Sequence, residues 1–320
     1  MTGQSPLTLS IVIVTYGREQ VLIDTIAHLL ALSDVTSGFQ ELIVVDQTPD
    51  HLPETSDRLT GWSESGKIRW LRVKEPNLTR AMNRGLIEAR SDIVLFTDDD
   101  IIPGPALLSE HIAAYVRIPT LSAVVGQVLQ PGEQPEMIAY QPSGGPLLRF
   151  LDFPFRRTES CFVENVIACN LSVQRTEAIQ AGGFDENFTP PVAARFETEF
   201  VKRVVATGGK VWFEARASVR HLRAPSGGTR SKGSHLSSAL PIFGIGDYYF
   251  ALRRGKGWEK WAYILRKPFR EVRTKFHLKH PWWIPVKLIG EIRAFVQAFR
   301  ANSSGPKLLE PTNPAGQSVP

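Results

Sequence analysis

The sequence predicts an α/β protein built on a mostly parallel sheet. Short β-branched runs alternate with amphipathic helical patterns in four β units within the first hundred residues. Such alternation indicates parallel strands joined by right-handed crossovers. A chain of 320 residues, 42% hydrophobic and 22% charged, can bury a large core. We therefore expect a folded domain and not an extended chain.

Four apolar runs predict the strands of the first half. They cover residues 9–16, 41–48, 67–73 and 92–96. The runs are rich in Val, Ile and Leu, as in strands that are covered on both faces. A helix is predicted after the first run, where apolar residues recur at spacings of three and four, and another over residues 77–90.

The second half continues with less regular spacing. Residues 121–129 predict a strand, and the Pro/Gly-rich residues 130–146 predict a binding loop or lid. Residues 163–175 predict a strand that leads into a helix near Thr176. Residues 196–209 predict a helix stopped by the glycines at its end, and residues 210–222 carry a further strand.

The polar residues of the predicted sheet cluster where its strands end. The stretch SDIVLFTDDDIIP at residues 91–103 runs from a buried strand into Asp98, Asp99 and Asp100. Ligands of parallel α/β sheets bind beyond the carboxyl ends of the strands. Three adjacent carboxylates repel one another, and a divalent cation removes that repulsion. The pattern therefore predicts Mg²⁺ or Mn²⁺ with a diphosphate, and a solvated acidic turn is the alternative.

Several function classes lack their motifs. No GxGxxG follows a strand and no GxxxxGK[ST] occurs, which argues against a dinucleotide oxidoreductase and a P-loop protein. Cys161 and Cys169 fit no disulfide framework, so a reducing cytoplasm is expected. The N-terminus lacks the pattern of a signal peptide, and no apolar run reaches eighteen residues.

An ordered series of motifs supports a family resemblance over about residues 8 to 222. The chain resembles the family 2 glycosyltransferases, which are inverting enzymes of the GT-A fold that use nucleotide sugars. The order and spacing of the motifs are more specific than any one motif. They read, in order, IVIVTYGRE, LIVVDQT, NLTRAMNRGL, FTDDDIIP, ACNLSVQR, GGFDENF, FETEF and VRHL.

The resemblance implies a nucleotide site at the first strands. Thr15, Tyr16 and Glu19 would line the base and ribose, and Asp46 would contact the base or ribose. Arg80 would face the diphosphate, since a guanidinium binds phosphate through paired hydrogen bonds. A loop cap is the alternative role for Asp46, and a solvated helix charge is the alternative for Arg80. The chain also lacks the glycine that many members have after the asparagine of EPNLTRA.

The resemblance also implies a metal site and an acceptor region. Asp100 would be the main metal ligand, with Asp98 nearer the ribose and shared with the metal, and Asp99 beside the nucleotide sugar. His221 occupies a position that supplies a further ligand in some members, although a structural histidine is the alternative. Asn170 would lie in the acceptor region.

The catalytic base departs from the family pattern. Inverting transferases need a carboxylate that takes the proton of the acceptor hydroxyl. The family usually places it in an ED pair at a helix start, where this chain has Phe196 and Glu197. We expect Glu197 to be the base and Glu199 to lie in the acceptor region. Glu199, Asp185 and an ordinary acidic helix start are the alternatives.

The C-terminal region is basic and aromatic. Residues 251–300 hold 13 lysines and arginines against 3 acids, together with four tryptophans. Apolar stripes at helical spacing run through two segments. These stripes would pack on the catalytic domain or a second copy, or dock on an anionic membrane that carries a lipid-linked acceptor through residues 258–300. The sequence contains no motif of a nucleic-acid-binding fold, so nucleic acid is not expected as a partner.

We expect three regions. Residues 1–235 would form the GT-A domain, residues 236–301 a basic amphipathic helical region, and residues 302–320 a disordered tail. The expected protein is a cytoplasmic transferase, peripheral on the inner face of the membrane, that acts in cell-surface glycan or glycolipid synthesis. It would take a sugar from a nucleotide-diphosphate donor and pass it to a glycan or lipid-linked acceptor. A homodimer is expected. A degenerate nucleotide-sugar-binding scaffold and a sugar nucleotidyltransferase are the alternatives.

Overall fold

A computed structural model describes residues 6–188, 194–228 and 234–310. Over these ranges nine strands form one sheet. The strands are β1 (Leu9–Thr15), β2 (Phe39–Asp46), β3 (Arg69–Arg72), β4 (Ile93–Thr97), β5 (Ile101–Pro103), β6 (Leu121–Leu129), β7 (Cys161–Val163), β8 (Asn170–Gln174) and β9 (Lys210–His221).

The helices in the same ranges flank the sheet and continue beyond its last strand. They are α1 (Gln20–Ser33), α2 (Pro53–Glu64), α3 (Leu78–Glu88), α4 (Leu107–Arg117), α5 (Arg175–Gln180), α6 (Phe196–Ala206), α7 (Ile245–Arg254), α8 (Gly257–Val272), α9 (Lys275–Lys279) and α10 (Trp283–Ser303). The predicted α/β class and the four β units of the first hundred residues are confirmed.

The sheet has the order β3-β2-β1-β4-β8-β6-β9-β5, with β7 paired to β9. Strands β3, β2, β1 and β4 are parallel, and β6 is parallel to β9. Strand β8 is antiparallel to both neighbours because the chain returns to it at the edge where β4 ends, so that Asn170 pairs with Thr97. Strands β5 and β7 are antiparallel to β9.

Two hydrophobic cores cover the two faces of the sheet. In β1, Ile11 and Ile13 pack with α1, α2 and α4 on one face, while Val12 packs with α3 and α6 on the other. Successive side chains of a strand point to opposite faces, so a strand covered on both faces needs a continuous apolar run. This explains the uninterrupted runs in the sequence.

The basic C-terminal helices pack on the sheet domain. Tyr248, Tyr249 and Phe250 of α7 belong to the same core as Phe184 and Phe200. Helix α10 packs along α7, and α8 contacts both. None of the helices within the described ranges is both long and apolar enough to cross a membrane.

The expected disordered tail does not begin at residue 302. Helix α10 continues to Ser303, and the chain beyond it binds the loop before α6. The Lys307 N–H donates to Asp185 Oδ1 at 3.0 Å, and the Leu309 N–H donates to the Gly182 carbonyl at 2.8 Å. The remainder of that prediction, residues 311–320, lies outside the described residues.

Candidate active site

A cavity of about 490 Å³ lies at the carboxyl end of the parallel strands. The end of β1, the turn after β4, the end of β9 and the first turn of α6 meet there. The sheet order places β1 beside β4, which brings their polar ends together. The polar lining residues are Thr15, Tyr16, Arg18, Gln47, Asn77, Thr97, Asp98, Asp99, Asp100, Glu197 and His221.

Asp98, Asp100 and His221 form a cluster in this cavity. One ligand atom from each lies within 4.8 Å of the other two. His221 Nε2 lies 3.1 Å from Asp100 Oδ1 and 3.5 Å from Asp98 Oδ2. On the other side of the ring, His221 Nδ1 lies 3.1 Å from Gln130 Oε1.

The donor chemistry of this cluster fits a divalent cation. Gln130 Oε1 can only accept, so Nδ1 carries a proton and Nε2 faces the two carboxylate oxygens. Without a cation, a proton on Nε2 donates to Asp100, and a bound cation would take the place of that proton. Carboxylates suit Mg²⁺ and Mn²⁺, and the imidazole favours the transition metal. Gln130 therefore orients His221 as a ligand in the way that outer hydrogen bonds orient metal-binding histidines.

Asp100 is held as an anion from two sides. Its Oδ2 accepts from the Ala224 N–H at 2.7 Å and faces Arg18 Nη2 at 3.3 Å. Burial alone would raise the pKa of Asp100, but the hydrogen bonds from His221 and Ala224 outweigh burial and lower that pKa. An ionised carboxylate at this position suits the expected metal ligand.

Asp99 turns to Arg18 and Thr15. Arg18 Nε lies 3.1 Å from Asp99 Oδ1, and the Thr15 hydroxyl donates to Asp99 Oδ2 at 2.7 Å. Burial raises the pKa of Asp99 to about 6, although Arg18 opposes the rise. The three adjacent aspartates thus divide their roles: two face the metal position, and the middle one holds a buried arginine.

Sequence reasoning missed Arg18. Besides Asp99 and Asp100, its guanidinium donates to the carbonyls of Ala224 at 3.4 Å and of Ser226. It therefore joins the end of β1, the acidic turn and the segment after β9. The sequence could have indicated Arg18, because this cation follows β1 closely and the neighbouring strands β2 and β4 end at Asp46 and before Asp98.

The segment after β9 lies against the end of β1. The Gly228 N–H donates to the Tyr16 carbonyl at 2.7 Å. A Cβ on Gly227 would lie 2.4 Å from the Gly17 carbonyl oxygen, and Gly227 has a φ of 80°. Only glycine permits this approach and this backbone conformation. The close contact forms one wall of the cavity, since Gly228 lines it.

Glu197 enters the cavity from the first turn of α6. Its Oε2 is buried and has no hydrogen-bond partner within residues 6–188, 194–228 and 234–310. Burial raises the pKa of Glu197 to about 7, Arg195 opposes the rise, and Asp98 adds to it. A buried carboxylate oxygen without a partner is costly unless a ligand supplies one. Glu197 is therefore suited to accept a proton from a bound molecule.

The first turn of α6, which carries Glu197, is held by an ion pair with α7. Arg195 precedes α6 with a φ of 73°, a left-handed conformation that is strained for a residue with a side chain. Its Nε lies 3.1 Å from Asp247 Oδ1 of α7, and Asp247 also accepts from the Tyr263 hydroxyl at 2.7 Å. The C-terminal helices thus fix the position of the candidate base.

A second unpartnered polar atom faces the same space. The Thr97 hydroxyl at the end of β4 is buried without a hydrogen-bond partner among the described residues, and Thr97 lines the cavity. The Asp98 side chain is 45% exposed, and its partial loss of hydration in the cavity raises its pKa, with His221 opposing the rise and Asp99 and Asp100 adding to it. Both features indicate a site that is completed by a ligand.

Glu19 and Asp46 do not line the cavity. His51 joins them, with Nε2 2.9 Å from Asp46 Oδ2 and Nδ1 3.3 Å from Glu19 Oε1. Asp46 Oδ2 also accepts from the Trp70 indole N–H at 2.9 Å. The fully buried Asp46 therefore ties β2 to the loop before α2 and to β3, and its neighbour Gln47 reaches the cavity instead.

Arg80 lies outside the cavity. Its side chain is exposed and paired with Glu75 at 3.1 Å and with Glu186 at 3.3 Å. Met82, two residues further along α3, lines the cavity on this side. The predicted contact of Arg80 with the diphosphate is not supported by this geometry, because helical spacing points residues 80 and 82 in different directions.

Asn170 is buried in the sheet and not in an acceptor region. Its Nδ2 donates to the carbonyls of Gln127 at 3.0 Å and Ala217 at 2.8 Å, and its Oδ1 lies 2.8 Å from His111 Nε2. These bonds use both N–H donors of the amide, and the residue is fully buried. Asn170 therefore holds β8 against its neighbours.

The two alternative bases are committed elsewhere. Fully buried Glu199 lies 3.0 Å from Arg203 Nε and 3.2 Å from Arg254 Nε, so it joins α6 to α7 and is not part of an acceptor region. Asp185 accepts from the Tyr249 hydroxyl at 2.7 Å and from the Lys307 N–H. Neither residue lines the cavity, whereas Glu197 shares it with the cluster of Asp98, Asp100 and His221.

Gln47 and Asn77 are further cavity residues that the sequence did not single out. The Asn77 N–H donates to Gln47 Oε1 at 2.6 Å, and Asn77 Oδ1 accepts from the Arg80 N–H at 3.1 Å. Asn77 is thus the N-cap of α3, a role that its position before the helical pattern could have indicated. Gln47 and Asn77 thus line the cavity where β2 ends and α3 begins.

Comparison with known families identifies the class of protein. The profile described as glycosyl transferase family 2 matches residues 10–176, which is more than half of the chain. The chain belongs to this family. A search of curated proteins gives no significant match.

Solved structures support the fold. The structure of GalNAc-T7 with UDP, GalNAc and Mn²⁺ is similar at a TM-score of 0.55 and 12% identity, over 87% of this chain and 58% of that one. The mannosyltransferase PcManGT from Pyrobaculum calidifontis, in complex with GDP-Man and Mn²⁺, is similar at 0.51 and 14% identity, over 99% and 77%. The chain thus spans less than two thirds of the first of these proteins. At such identities the likeness shows the GT-A fold.

Proposed function

We propose that this glycosyltransferase is a metal-dependent inverting enzyme that moves a sugar from a nucleotide-diphosphate donor to a hydroxyl acceptor. One observation carries the proposal. The unpartnered Oε2 of Glu197 lies in the same cavity as the ligand cluster of Asp98, Asp100 and His221. A base and a cation site in one cavity are what a single displacement at an anomeric carbon requires.

The residues of the first strands would hold the nucleotide. Tyr16, Gln47 and Asn77 line the cavity beside the acidic turn, and the Thr97 hydroxyl has a free hydrogen-bonding capacity there. The two similar structures contain UDP or GDP-Man with Mn²⁺. These names support a nucleoside diphosphate as the donor's leaving group and leave its base and sugar open.

Glu197 would act on the acceptor. Its carboxylate would take the proton of the attacking hydroxyl while the bond from the anomeric carbon to the diphosphate breaks. Attack from the face opposite the leaving group inverts the anomeric carbon. A pKa raised to about 7 suits this role, because the base then binds the proton well and is still ionised in a large fraction of molecules near neutral pH.

Asp98, Asp100 and His221 would hold Mg²⁺ or Mn²⁺. The cation would supply positive charge for the departing diphosphate. Arg18 holds the acidic turn in place through Asp99 and Asp100, and Gln130 orients His221. These two residues position the site and need not touch the substrate.

The acceptor would be a glycan or a lipid-linked glycan in cell-surface glycan or glycolipid synthesis. The enzyme would then work in the cytoplasm, on the inner face of the membrane. A degenerate nucleotide-sugar-binding scaffold is the second candidate, because Phe196 stands where the family has an acidic residue. The unpartnered Glu197 oxygen favours the enzyme over the scaffold.

An assay of released product tests the proposal. The full-length chain is incubated with a panel of nucleotide sugars and Mn²⁺, with and without glycan acceptors, and the nucleoside diphosphate is quantified. Release that requires metal and an ionised Glu197 supports the transferase. Tight donor binding without release for any acceptor would favour the scaffold, and pyrophosphate release would indicate a nucleotidyltransferase.

A further inference from the structure

Helix α8 presents its large apolar side chains to solvent. Trp258, Trp261, Leu265 and Phe269 recur at spacings of three and four, so they share one side of the helix. Trp258, Leu265 and Phe269 are 77%, 66% and 69% exposed. The buried residues of α8 are Tyr263, Ile264 and Lys267, which lie on the opposite side.

Helix α10 repeats this arrangement. Its exposed apolar residues share one side, and its buried residues are small or charged. The exposed set is Ile289, Ile292, Val296 and Phe299, with Ile292 65% exposed. The buried set is Lys287, Gly290, Glu291, Ala294 and Ala298. A surface helix of a water-soluble protein normally has the reverse pattern.

The charges that these helices bury neutralise one another. Lys267 Nζ lies within 3.5 Å of Asp247, Glu271 and Glu291. Lys287 Nζ lies 2.9 Å from Glu291 Oε1, and the Tyr248 hydroxyl donates to Glu291 at 2.9 Å. The inward side is therefore a satisfied polar network and needs no ligand.

The charges left outside are positive. Glu259 is the one acidic residue of the segment 251–300 besides Glu271 and Glu291. It faces the neighbouring loop, where its Oε1 accepts from the Leu147 N–H at 2.9 Å. The exposed cations are Arg266, Arg270, Arg273, Lys275, Lys279, Arg293 and Arg300. Arg270 Nη2 lies 3.8 Å from Glu271 Oε1, and the other six form no ion pair within the described residues.

A cavity of about 480 Å³ adds to this surface. It lies between α8 and the loop at Gly145–Leu148, and Trp258, Lys256, Arg266 and Arg270 line it. Arg266 and Arg270 thus flank the exposed apolar stripe of α8 on the side of this cavity. This combination matches a bilayer interface, where acyl chains meet anionic headgroups.

The sequence outside the described ranges is too polar to cover the two stripes. Residues 1–5, 189–193, 229–233 and 311–320 contain Met1, Val192 and Val319 as their large apolar residues. Large exposed apolar patches mark sites of protein or membrane contact. The excess of outward cations favours a membrane over a second copy of the chain. A second copy would bring the same positive charge to the contact, and the two surfaces would repel each other.

We propose that the outer side of α8 and α10 is a docking surface for an anionic phospholipid bilayer. Trp258, Trp261, Leu265 and Phe269 enter the interface, and Arg266 and Arg270 bind the headgroups. This inference extends the proposed function by placing the active site at the membrane, but the docking surface itself does not depend on the sugar transfer.

Vesicle flotation of the full-length chain tests the docking surface. We expect it to bind vesicles of equimolar phosphatidylcholine and phosphatidylglycerol, and to bind vesicles of phosphatidylcholine alone at least about tenfold more weakly. Leu265→Gln with Phe269→Gln, and separately Arg266→Glu with Arg270→Glu, should each weaken binding about tenfold or more. Val116→Gln, at a similarly exposed apolar residue of α4, is the matched control and should bind as the wild type does.

Two further readouts separate the outcomes. Metal-dependent nucleotide binding should be unchanged in all of these variants, which shows that they are folded and separates a failed docking surface from a failed transferase. Sedimentation in the absence of vesicles gives the oligomeric state. Vesicle binding that is unchanged by both double substitutions would overturn the inference. It would also be overturned if the wild type did not bind anionic vesicles and instead formed a dimer that both double substitutions dissociate.

Discussion

The candidate base and the acidic turn are suited to catalysis by features that cost stability. Glu197 Oε2 and the Thr97 hydroxyl are buried without hydrogen-bond partners in the part of the chain that the structure describes, and three aspartates share one turn. Such groups persist where the surrounding fold holds them, and they mark functional sites. Here the ion pair between Arg195 and Asp247 holds the helix start, and Arg18 holds the turn.

Glu197→Gln should abolish transfer and retain donor binding. The amide cannot take the hydroxyl proton, so we expect kcat to fall by about 10²- to 10⁴-fold. The donor dissociation constant should stay within about threefold, because the nucleotide would be held by other residues. Glu177→Gln, at the exposed first turn of α5, is the matched control and should be fully active.

Near-normal turnover in Glu197→Gln would move the base elsewhere and remove the main support for the proposed mechanism. Steady-state kinetics and donor titration, measured on the same preparations, distinguish a lost base from a lost fold.

The pH dependence of the reaction should report Glu197. The base form is the ionised one, so the rate rises with pH and levels off above the pKa of Glu197, which burial raises to about 7. A cation beside Asp98 would lower that pKa, so we expect the acid limb of kcat/KM at or below pH 7. The residual activity of Glu197→Gln should lack this limb.

Arg18→Gln should destabilise the protein in a pH-dependent way. The substitution leaves Asp99 and Asp100 buried beside each other without their cation, which costs about 3–5 kcal/mol at pH 8. The pKa of Asp99 is already raised to about 6 and would rise further, so protonation should relieve most of the loss at pH 5. Denaturant unfolding at the two pH values measures this, and an equal loss at both would contradict it.

At the scale of elements, hydrophobic periodicity predicted most of the strands and helices. The predicted strand at residues 121–129 coincides with β6, and the predicted helix from residue 196 begins at Phe196. Of the predicted strand within residues 163–175, only Asn170–Gln174 form a strand, β8, because β7 ends at Val163 and a loop follows it. Periodicity does not reveal where the chain reverses direction, so the antiparallel β8 was not foreseen.

The site was predictable where a residue ends a strand. Asp98, Asp100 and His221 met because β4 and β9 end at the same edge of the sheet. Arg80, Asn170 and Glu199 were placed by resemblance and lie elsewhere, because their partners come from distant parts of the chain. Glu199, for example, binds Arg254, which is 55 positions away in sequence.

Glu199→Gln tests whether the joint between α6 and α7 is structural. The change leaves Arg203 and Arg254 partly unpaired in a buried position, so we expect about 3–5 kcal/mol less stability. The KM for donor and acceptor should stay within about threefold in the folded fraction. A raised acceptor KM with normal stability would restore Glu199 to the acceptor region.

At the scale of the whole molecule, the C-terminal helices complete the enzyme. Helix α7 shares the core of the sheet domain, and Asp247 reaches Arg195 at the base of the active site. The outer sides of α8 and α10 carry the apolar residues and cations of the proposed docking surface. The same helices thus hold the candidate base Glu197 on one side and would orient the active site at a membrane on the other.

The most direct test of the central claim is a thermal-shift measurement with nucleotides and metal. The full-length chain is melted with each nucleoside diphosphate and nucleotide sugar, in Mn²⁺, Mg²⁺ or EDTA, beside Asp98→Asn and the exposed control Asp57→Asn. A ligand at about 100 times its dissociation constant adds about 2.7 kcal/mol, which is a shift of a few degrees. We predict a shift that requires metal, is specific to one nucleotide base, and is lost in Asp98→Asn but kept in Asp57→Asn. A nucleotide shift that persists in EDTA, or no shift with any nucleotide, would contradict a metal-held diphosphate in this cavity.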